Sequence, residues 1–172
     1  MRRLAAAAAA LSLCSCSSLL SFDIDSSGTS TIPKGSGGGI LGGLPGFSNF
    51  GKFDFSNSSE FKNQNTNKSH ISECHVTRLT LKVTNPAGND LSFISKLDFF
   101  IEAPNLEKKH IAGSASFPKG QSTVDLTLDN LDIAAYAKSD SFSITTTGQG
   151  TSPQVDTTIQ ADIRLNIHAS VL

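Results

Sequence analysis

Apolar and polar residues alternate along much of the second half of the chain, most clearly at 155–171. Every odd position there is Val, Ile, Leu, Ala or Thr, whereas the even positions carry Asp, Gln, Arg, Asn, His, Ser or Thr. A period of two indicates a strand with one buried and one solvated face. One-sided burial is typical of antiparallel sheets. We therefore predict a long antiparallel strand over these residues.

Five further segments have the same period or a strand-like composition: 77–83, 97–103, 110–116, 124–128 and 142–147. Turn-forming residues separate several of them, as in Pro118-Lys119-Gly120 and Gly148-Gln149-Gly150. Short strands at this spacing predict an all-β fold, either a sandwich or a barrel. We favour an antiparallel β-sandwich with an immunoglobulin-like layout, because one helical crossover interrupts a series of hairpins.

One or two short helices are expected within this all-β chain. Residues 131–137 have the composition of a helical turn, with Asp129 or Asn130 as its N-cap. Residues 56–67 predict another short helix, with Ser56 as the N-cap and Glu60 in the first turn.

The amino terminus has the pattern of a secretory signal peptide, which we place at residues 1–15. Met1-Arg2-Arg3 supplies positive charge, and residues 4–13 form an apolar run of ten. A permanent transmembrane helix needs about 20 apolar residues, so this run fits a cleaved signal better. The paired arginines leave twin-arginine export as an alternative, although the rest of that motif is missing.

The segment Leu13-Cys14-Ser15-Cys16 resembles the lipobox of bacterial lipoproteins, in which Leu, a small residue and Gly, Ala or Ser precede the modified Cys. Leu13 and Ser15 match this pattern, and Cys14 is an unusual middle residue. Modification at Cys14 would place bulky Leu13 beside the cleaved bond, so Cys16 fits better. An ordinary signal peptide with incidental cysteines is the alternative.

The resemblance implies that cleavage between Ser15 and Cys16 is accompanied by acylation of Cys16. Two or more acyl chains hold a protein stably on a membrane, at about 0.8 kcal/mol per buried methylene. Ser17 is not the aspartate that commonly retains lipoproteins in an inner membrane. The resemblance therefore implies a lipid anchor at the outer membrane of the cell envelope, on its periplasmic or surface face.

Glycine and serine dominate the chain after Cys16, and nine of the 14 glycines lie between Ser17 and Phe53. This composition predicts a flexible tether. Part of the tether is expected to dock on the domain or on lipid through its apolar residues, Ile40, Leu41, Leu44 and Phe47. An outlying strand is expected before them, formed by Phe22, Ile24 and 29–32 with Asp23 and Asp25 on its polar face. The predicted divisions are a signal peptide (1–15), a lipid-anchored tether (16–52) and a β-sandwich domain (53–172).

Cysteine content and charge limit the possible classes of protein. Of three cysteines, Cys14 would be removed and Cys16 alkylated, so Cys74 would have no partner within the chain. We expect no intramolecular disulfide and a buried Cys74, with intermolecular pairing as the alternative. The formal net charge is −1, and no basic stripe suggests nucleic-acid binding.

Two family resemblances extend beyond the lipobox. The layout is similar to small, uncharacterised proteobacterial lipoproteins in which a Gly-rich Pro-Gly-Phe tether precedes a β domain of no known activity. Residues 81–86 (Leu-Lys-Val-Thr-Asn-Pro), Pro118-Lys119-Gly120 and 131–137 resemble, in order, the desiccation-related (water-stress, late-embryogenesis-abundant type) β-sandwiches. This second resemblance implies the fold and a stress-protective or apolar-ligand-binding role.

The residues that could carry chemistry do not form a recognisable motif. His70, Cys74 and His75 are one ligand short of a structural zinc site. Asp129, Asn130 and Asp132 lack a calcium-loop spacing. No Gly-x-Ser-x-Gly or phosphate-binding loop occurs. We therefore expect no catalytic, cofactor or metal site, and no enzyme.

Three functions remain to be compared. The first is a non-catalytic structural or protein-interaction module displayed at the envelope. The second is an apolar-ligand carrier or stress-protective module, which requires a cavity between the sheets lined by Phe99, Ile101, Phe142 and Ile144. The third is a hydrolase, which requires convergent polar groups in one cleft. Phe100, on the polar face of its strand, is expected at an interface or on the second face of a doubly covered strand.

Overall fold

The computed structural model describes residues 19–35, 46–48 and 50–171, and the structural statements below concern these residues. They form eight strands and two short α-helices. The strands are β1 (Leu19–Ile32), β2 (Ile71–Asn85), β3 (Ile94–Glu102), β4 (Lys109–Ser114), β5 (Thr123–Asp125), β6 (Thr127–Leu128), β7 (Ser143–Gly150) and β8 (Thr157–Ser170). The helices are α1 (Ser59–Lys62) and α2 (Ala134–Ala137).

Two four-stranded sheets consist of antiparallel pairs, in the orders β1-β8-β2-β5 and β6-β4-β3-β7. The alternating segment forms β8, an inner strand: Leu165 lies opposite Ile24 of β1 on one side and Val76 of β2 on the other. Odd residues of β8 from Thr157 to Ala169 are buried, and the even residues are partly exposed. The period of two therefore marks the buried face of this sheet.

The chain passes from one sheet to the other at Leu126. The strand before it, β5, pairs with β2, and the strand after it, β6, pairs with β4. Leu126 is buried, and its amide donates a hydrogen bond to the Leu79 carbonyl at 2.9 Å. The single strand predicted at 124–128 thus supplies an edge strand to each sheet.

Phenylalanine rings from the segment before α1 belong to the core. The rings of Phe53 and Phe142 stack with their centroids 5.0 Å apart, and the backbones of the two residues exchange hydrogen bonds of 2.6 and 3.2 Å. The Phe47 ring packs on Phe99, with 5.6 Å between centroids. Such aromatic pairs contribute roughly 0.5–1.5 kcal/mol beyond the area they bury. This segment therefore stabilises the sandwich.

The predicted all-β sandwich is confirmed, and each of the six predicted strand segments contains or forms part of a strand. The strand order, however, differs from the immunoglobulin order. An immunoglobulin sandwich places its first two strands side by side, whereas here the last strand, β8, lies between β1 and β2. The two-sheet layout is thus that of the predicted sandwich, with a strand order in which the last strand is an inner strand.

Among the described residues, the sandwich includes residues that precede the tether–domain boundary predicted at residue 53. The expected outlying strand exists as β1, but it pairs with β8 along all of its 14 residues. Phe47 and Phe50 are buried as well. Gly and Ser composition indicates low intrinsic order, but the edge of β8 supplies β1 with a partner that lies more than a hundred residues away in sequence. Residues 36–45, including Ile40, Leu41 and Leu44, lie outside the described residues.

Both predicted helices are present, with different caps. The hydroxyl of Ser58, rather than Ser56, accepts a hydrogen bond from the Phe61 amide at the start of α1, and Glu60 lies in the first turn as expected. At α2 neither Asp129 nor Asn130 is the cap. Ile133 holds the N-cap position without a side-chain hydrogen bond, and the Asp132 carboxylate accepts a hydrogen bond from the Ala134 amide at 2.9 Å.

Candidate functional site

The predicted lipidation site lies just before the part of the chain that the structure describes. Ser15 and Cys16, the residues of the predicted cleavage and acylation, are outside the described residues, as is Cys14. The described chain begins at Leu19, the first residue of β1. No helix formed by residues 19–171, apart from the stretches left undescribed, is long and apolar enough to cross a membrane.

One end of the first sheet carries two exposed apolar side chains, and one of them, Leu19, lies three residues after Cys16 in the sequence. We call this the Leu19 end, defined by Leu19, Leu20, Ser170 and Val171. Leu19 lies opposite Ser170 in the pairing of β1 with β8. Leu19 is 71% exposed and Val171 is 36% exposed. Within the described ranges, Val155 is the third exposed large apolar residue, and it precedes β8 at the sheet's opposite end.

Cys74 is buried on β2, and its thiol is free. Burial, followed by the nearby Asp132 carboxylate, raises the pKa of this thiol to about 12. Asp132 also accepts a hydrogen bond from the Cys74 amide at 3.0 Å. A thiol that stays protonated is a poor nucleophile and a poor metal ligand. The expected burial of Cys74 is therefore confirmed, and its surroundings are those of a core residue.

The residues considered for metal binding have other partners or positions. The Asp129 carboxylate lies 2.6 Å from His110, and Asn130 adopts a left-handed backbone conformation with φ of 51°. The Asp132 carboxylate accepts a hydrogen bond from the Ala134 amide. No group of three or more His, Cys, Asp or Glu side chains in the described parts of the chain has the arrangement of a metal site.

A cluster of charged groups that the sequence analysis did not bring together lies on the outer face of the second sheet. His110 bridges two carboxylates: its Nδ1 is 2.6 Å from Asp129 and its Nε2 is 3.3 Å from Asp98. Lys96 lies 2.8 Å from the other oxygen of Asp98. A Cβ added at Gly113 would come within 2.7 Å of the Asp98 Oδ1 atom, so a larger residue there would displace this carboxylate from its position in the cluster.

The geometry of this cluster indicates that it holds neighbouring strands together. Both ring nitrogens of His110 face carboxylates, which leaves neither for activating a hydroxyl nucleophile. Because Asp129 follows β6 while Asp98 and His110 lie on β3 and β4, the cluster fastens the short edge strand to its sheet. Beside it, Phe100 is half-buried, with its ring edge against His110 and the Lys108 ammonium 4.9 Å from its centroid. Phe100 is thus partly covered by the side chains of Lys108 and His110.

A second charged cluster crosses the outer face of the first sheet. Asp25 accepts two hydrogen bonds of 2.8 Å from the Arg164 guanidinium and a third of 3.0 Å from Arg78. The hydrogen bonds from Arg164, and its charge, hold the pKa of Asp25 below its usual value. These three residues lie on neighbouring strands in register, so the cluster ties β1 to β8 and β2.

The cavity required of an apolar-ligand carrier is filled by side chains. Phe99, Ile101, Phe142 and Ile144 are all at least 96% buried. The Phe47 ring covers Phe99 and the Phe53 ring covers Phe142. This solid packing counts against an apolar ligand between the sheets at this position.

Comparison with known proteins adds no family to these observations: no family model and no curated protein matches the chain.

Proposed function

We propose that this protein is a lipoprotein, anchored through acyl chains on Cys16, that displays a non-catalytic β-sandwich at the cell envelope. The observation that carries the proposal is the order of an arginine pair, an apolar run of ten and Leu13-Cys14-Ser15-Cys16. Because Ser17 follows the cysteine, the outer membrane is the proposed destination. The role proposed for the domain is structural or protein-binding.

The contacts of the described side chains support a non-catalytic role. The charged side chains of the two clusters form hydrogen bonds with one another and hold edge strands to their sheets. The protonated thiol of Cys74 is enclosed in the core. The filled space between the sheets favours this role over that of an apolar-ligand carrier. A module of this kind acts through its outer surface and its position at the membrane.

Metabolic labelling with palmitate, followed by intact mass, tests the anchor. The wild-type chain should incorporate label and gain the mass of its acyl groups, whereas Cys16→Ser should incorporate none. Cys14→Ser and Cys74→Ser are matched controls that should remain labelled. An unlabelled wild type, or label that survives Cys16→Ser, would refute the proposed anchor.

A further inference from the structure

The Leu19 end is distinguished by where its exposed apolar side chains lie. Leu19 and Val171 flank the same pair of strand termini, and Val155 lies beyond the opposite terminus of β8. Since antiparallel strands rise about 3.4 Å per residue, the two ends of this 14-residue strand are about 45 Å apart. Leu19 and Val171 are therefore far from Val155, although all three are exposed aliphatic residues.

The sequence limits how far this end could lie from an acylated Cys16. Two residues, Ser17 and Ser18, separate Cys16 from Leu19. A chain spans at most about 3.6 Å per residue, so the Cα atoms of Cys16 and Leu19 are within about 11 Å of each other in any conformation. Because β1 is held by β8 from Leu19 onward, the sandwich could not move further from the membrane than this short link allows.

The neighbouring chain is compatible with an anionic lipid surface. The Thr66 hydroxyl donates a hydrogen bond to the Ser170 carbonyl at 2.8 Å, which places the loop after α1 beside the Leu19 end. From Phe61 to Ser72 the sequence contains no Asp or Glu, and Lys62 in this stretch is exposed. Lysines near a membrane are attracted to anionic headgroups.

We infer that the Leu19 end is a lipid-contacting surface, with Leu19 and Val171 inserted between headgroups and β1, β8 and β2 extending away from the membrane. This inference rests on the proposed acylation of Cys16. Transfer of exposed apolar side chains from water into the interface lowers the free energy in proportion to the apolar area removed from water. The acyl anchor holds these residues at the interface, so even their small area biases the domain toward one orientation.

Single tryptophans test the inference, because the chain contains no Trp. Leu19→Trp, Val171→Trp and the matched control Val155→Trp each replace an exposed aliphatic residue. Each full-length variant is first labelled with palmitate, then purified and reconstituted into phosphatidylethanolamine–phosphatidylglycerol vesicles containing lipids brominated near the headgroup end of the acyl chain. Interfacial side chains lie ~5–10 Å into the headgroup boundary. The Leu19→Trp and Val171→Trp variants should therefore lose about half of their indole fluorescence, and the Val155→Trp variant almost none.

Each outcome either supports or overturns the inference. Preferential quenching at positions 19 and 171 supports it. Labelled, vesicle-bound variants that are equally unquenched at all three positions overturn it and leave the anchor standing. A blue shift at position 19 without quenching, together with cross-linked dimers, overturns it and assigns the surface to a second copy of the chain. Absence of palmitate label overturns both the anchor and the inference.

Discussion

Individual side chains fix the least regular part of this molecule, and Lys68 is the clearest example. Its ammonium lies 2.8 Å from Asp54 and donates hydrogen bonds to the carbonyls of Ser139 and Asp140 at 3.0 and 2.9 Å. The same group is 5.5 Å from the centroid of Phe55. One side chain thus joins the segment before α1 to the turn after α2, because a lysine ammonium has three donors.

Replacing this lysine should weaken the fold and change its dependence on pH. Lys68→Met keeps an apolar stem over Phe55 but removes the ammonium, so we expect a loss of about 1–2 kcal/mol in the free energy of unfolding, measured in urea. Lys82→Met, at an exposed position of β2, is the control and should change little. Equal effects of the two substitutions would contradict this account.

The pH dependence follows from the pKa of Asp54. Hydrogen bonding to Lys68, and then to Ser56, lowers this pKa from 3.8 to about 2. A lowered carboxyl pKa stabilises the fold above the unfolded value and ceases to do so as pH falls through the folded value. The wild type should therefore lose this contribution between about pH 4 and pH 2, and Lys68→Met should show a smaller loss over the same range.

The thiol of Cys74 should resist modification in the folded protein. In a Cys14→Ser/Cys16→Ser variant it is the one remaining thiol. Its pKa is raised from 9.0 to about 12, so at pH 8 the thiolate fraction should fall on the order of a thousandfold relative to the unfolded chain. Iodoacetamide labelling followed by mass spectrometry should show slow modification in buffer and rapid modification in denaturant.

The same raised pKa has a consequence for stability. Above about pH 9 the unfolded chain loses the Cys74 proton while the folded chain keeps it, so the free energy of unfolding should decrease with rising pH. Labelling of folded protein as fast as that of unfolded protein would contradict the burial of this thiol.

Among the elements, β1 depends most on contacts that are distant in sequence. Its edge at Gly28 and Thr29 is covered by the segment after the undescribed residues: the Ser48 amide donates to the Thr29 carbonyl at 2.9 Å. A Cβ added at Gly28 would lie 2.1 Å from the Ser48 carbonyl oxygen. The approach of two backbones therefore requires glycine at this position.

Gly28→Ala should separate this segment from the edge of β1. Backbone atoms cannot rotate away as side chains do, and overpacking of this kind costs about 1–3 kcal/mol. Gly51→Ala is the matched control, since a Cβ there meets no atom within 4 Å. Urea unfolding of both variants gives the comparison, and unchanged stability in Gly28→Ala would show that the segment does not pack as described.

The elements also show what the sequence alone can predict. The alternation in β8 is local and indicated the strand and its buried face, as did the shorter runs in β2 and β3. The pairing of β1 with β8 was hidden by Gly and Ser composition, because its partner lies at the other end of the chain. The hydrogen bond from the Cys74 amide to Asp132 and the His110 cluster also depend on neighbours that three-dimensional packing supplies. The acylated cysteine, in contrast, is predicted from a local motif.

For the whole molecule, the position of β1 sets the boundaries of the folding unit. A fragment of residues 53–172 lacks β1 and the buried Phe47 and Phe50, and exposes a 14-residue edge of β8. We expect it to aggregate or to unfold without cooperativity, whereas residues 19–172 should unfold in one transition. Circular dichroism during urea titration checks this prediction. Equal unfolding midpoints for the two fragments would show that β1 does not belong to the folding unit.

The inner place of β8 also affects the timing of folding. Because β8 follows every other described strand in sequence yet joins β1 to β2, the first sheet is incomplete until this strand has been synthesised. Pairings between distant segments slow folding. In a nascent chain with this topology, the first sheet cannot form completely until the last strand emerges from the ribosome. If the proposed signal peptide directs export through a narrow channel, this delay would keep the chain unfolded, and so competent for export, for longer.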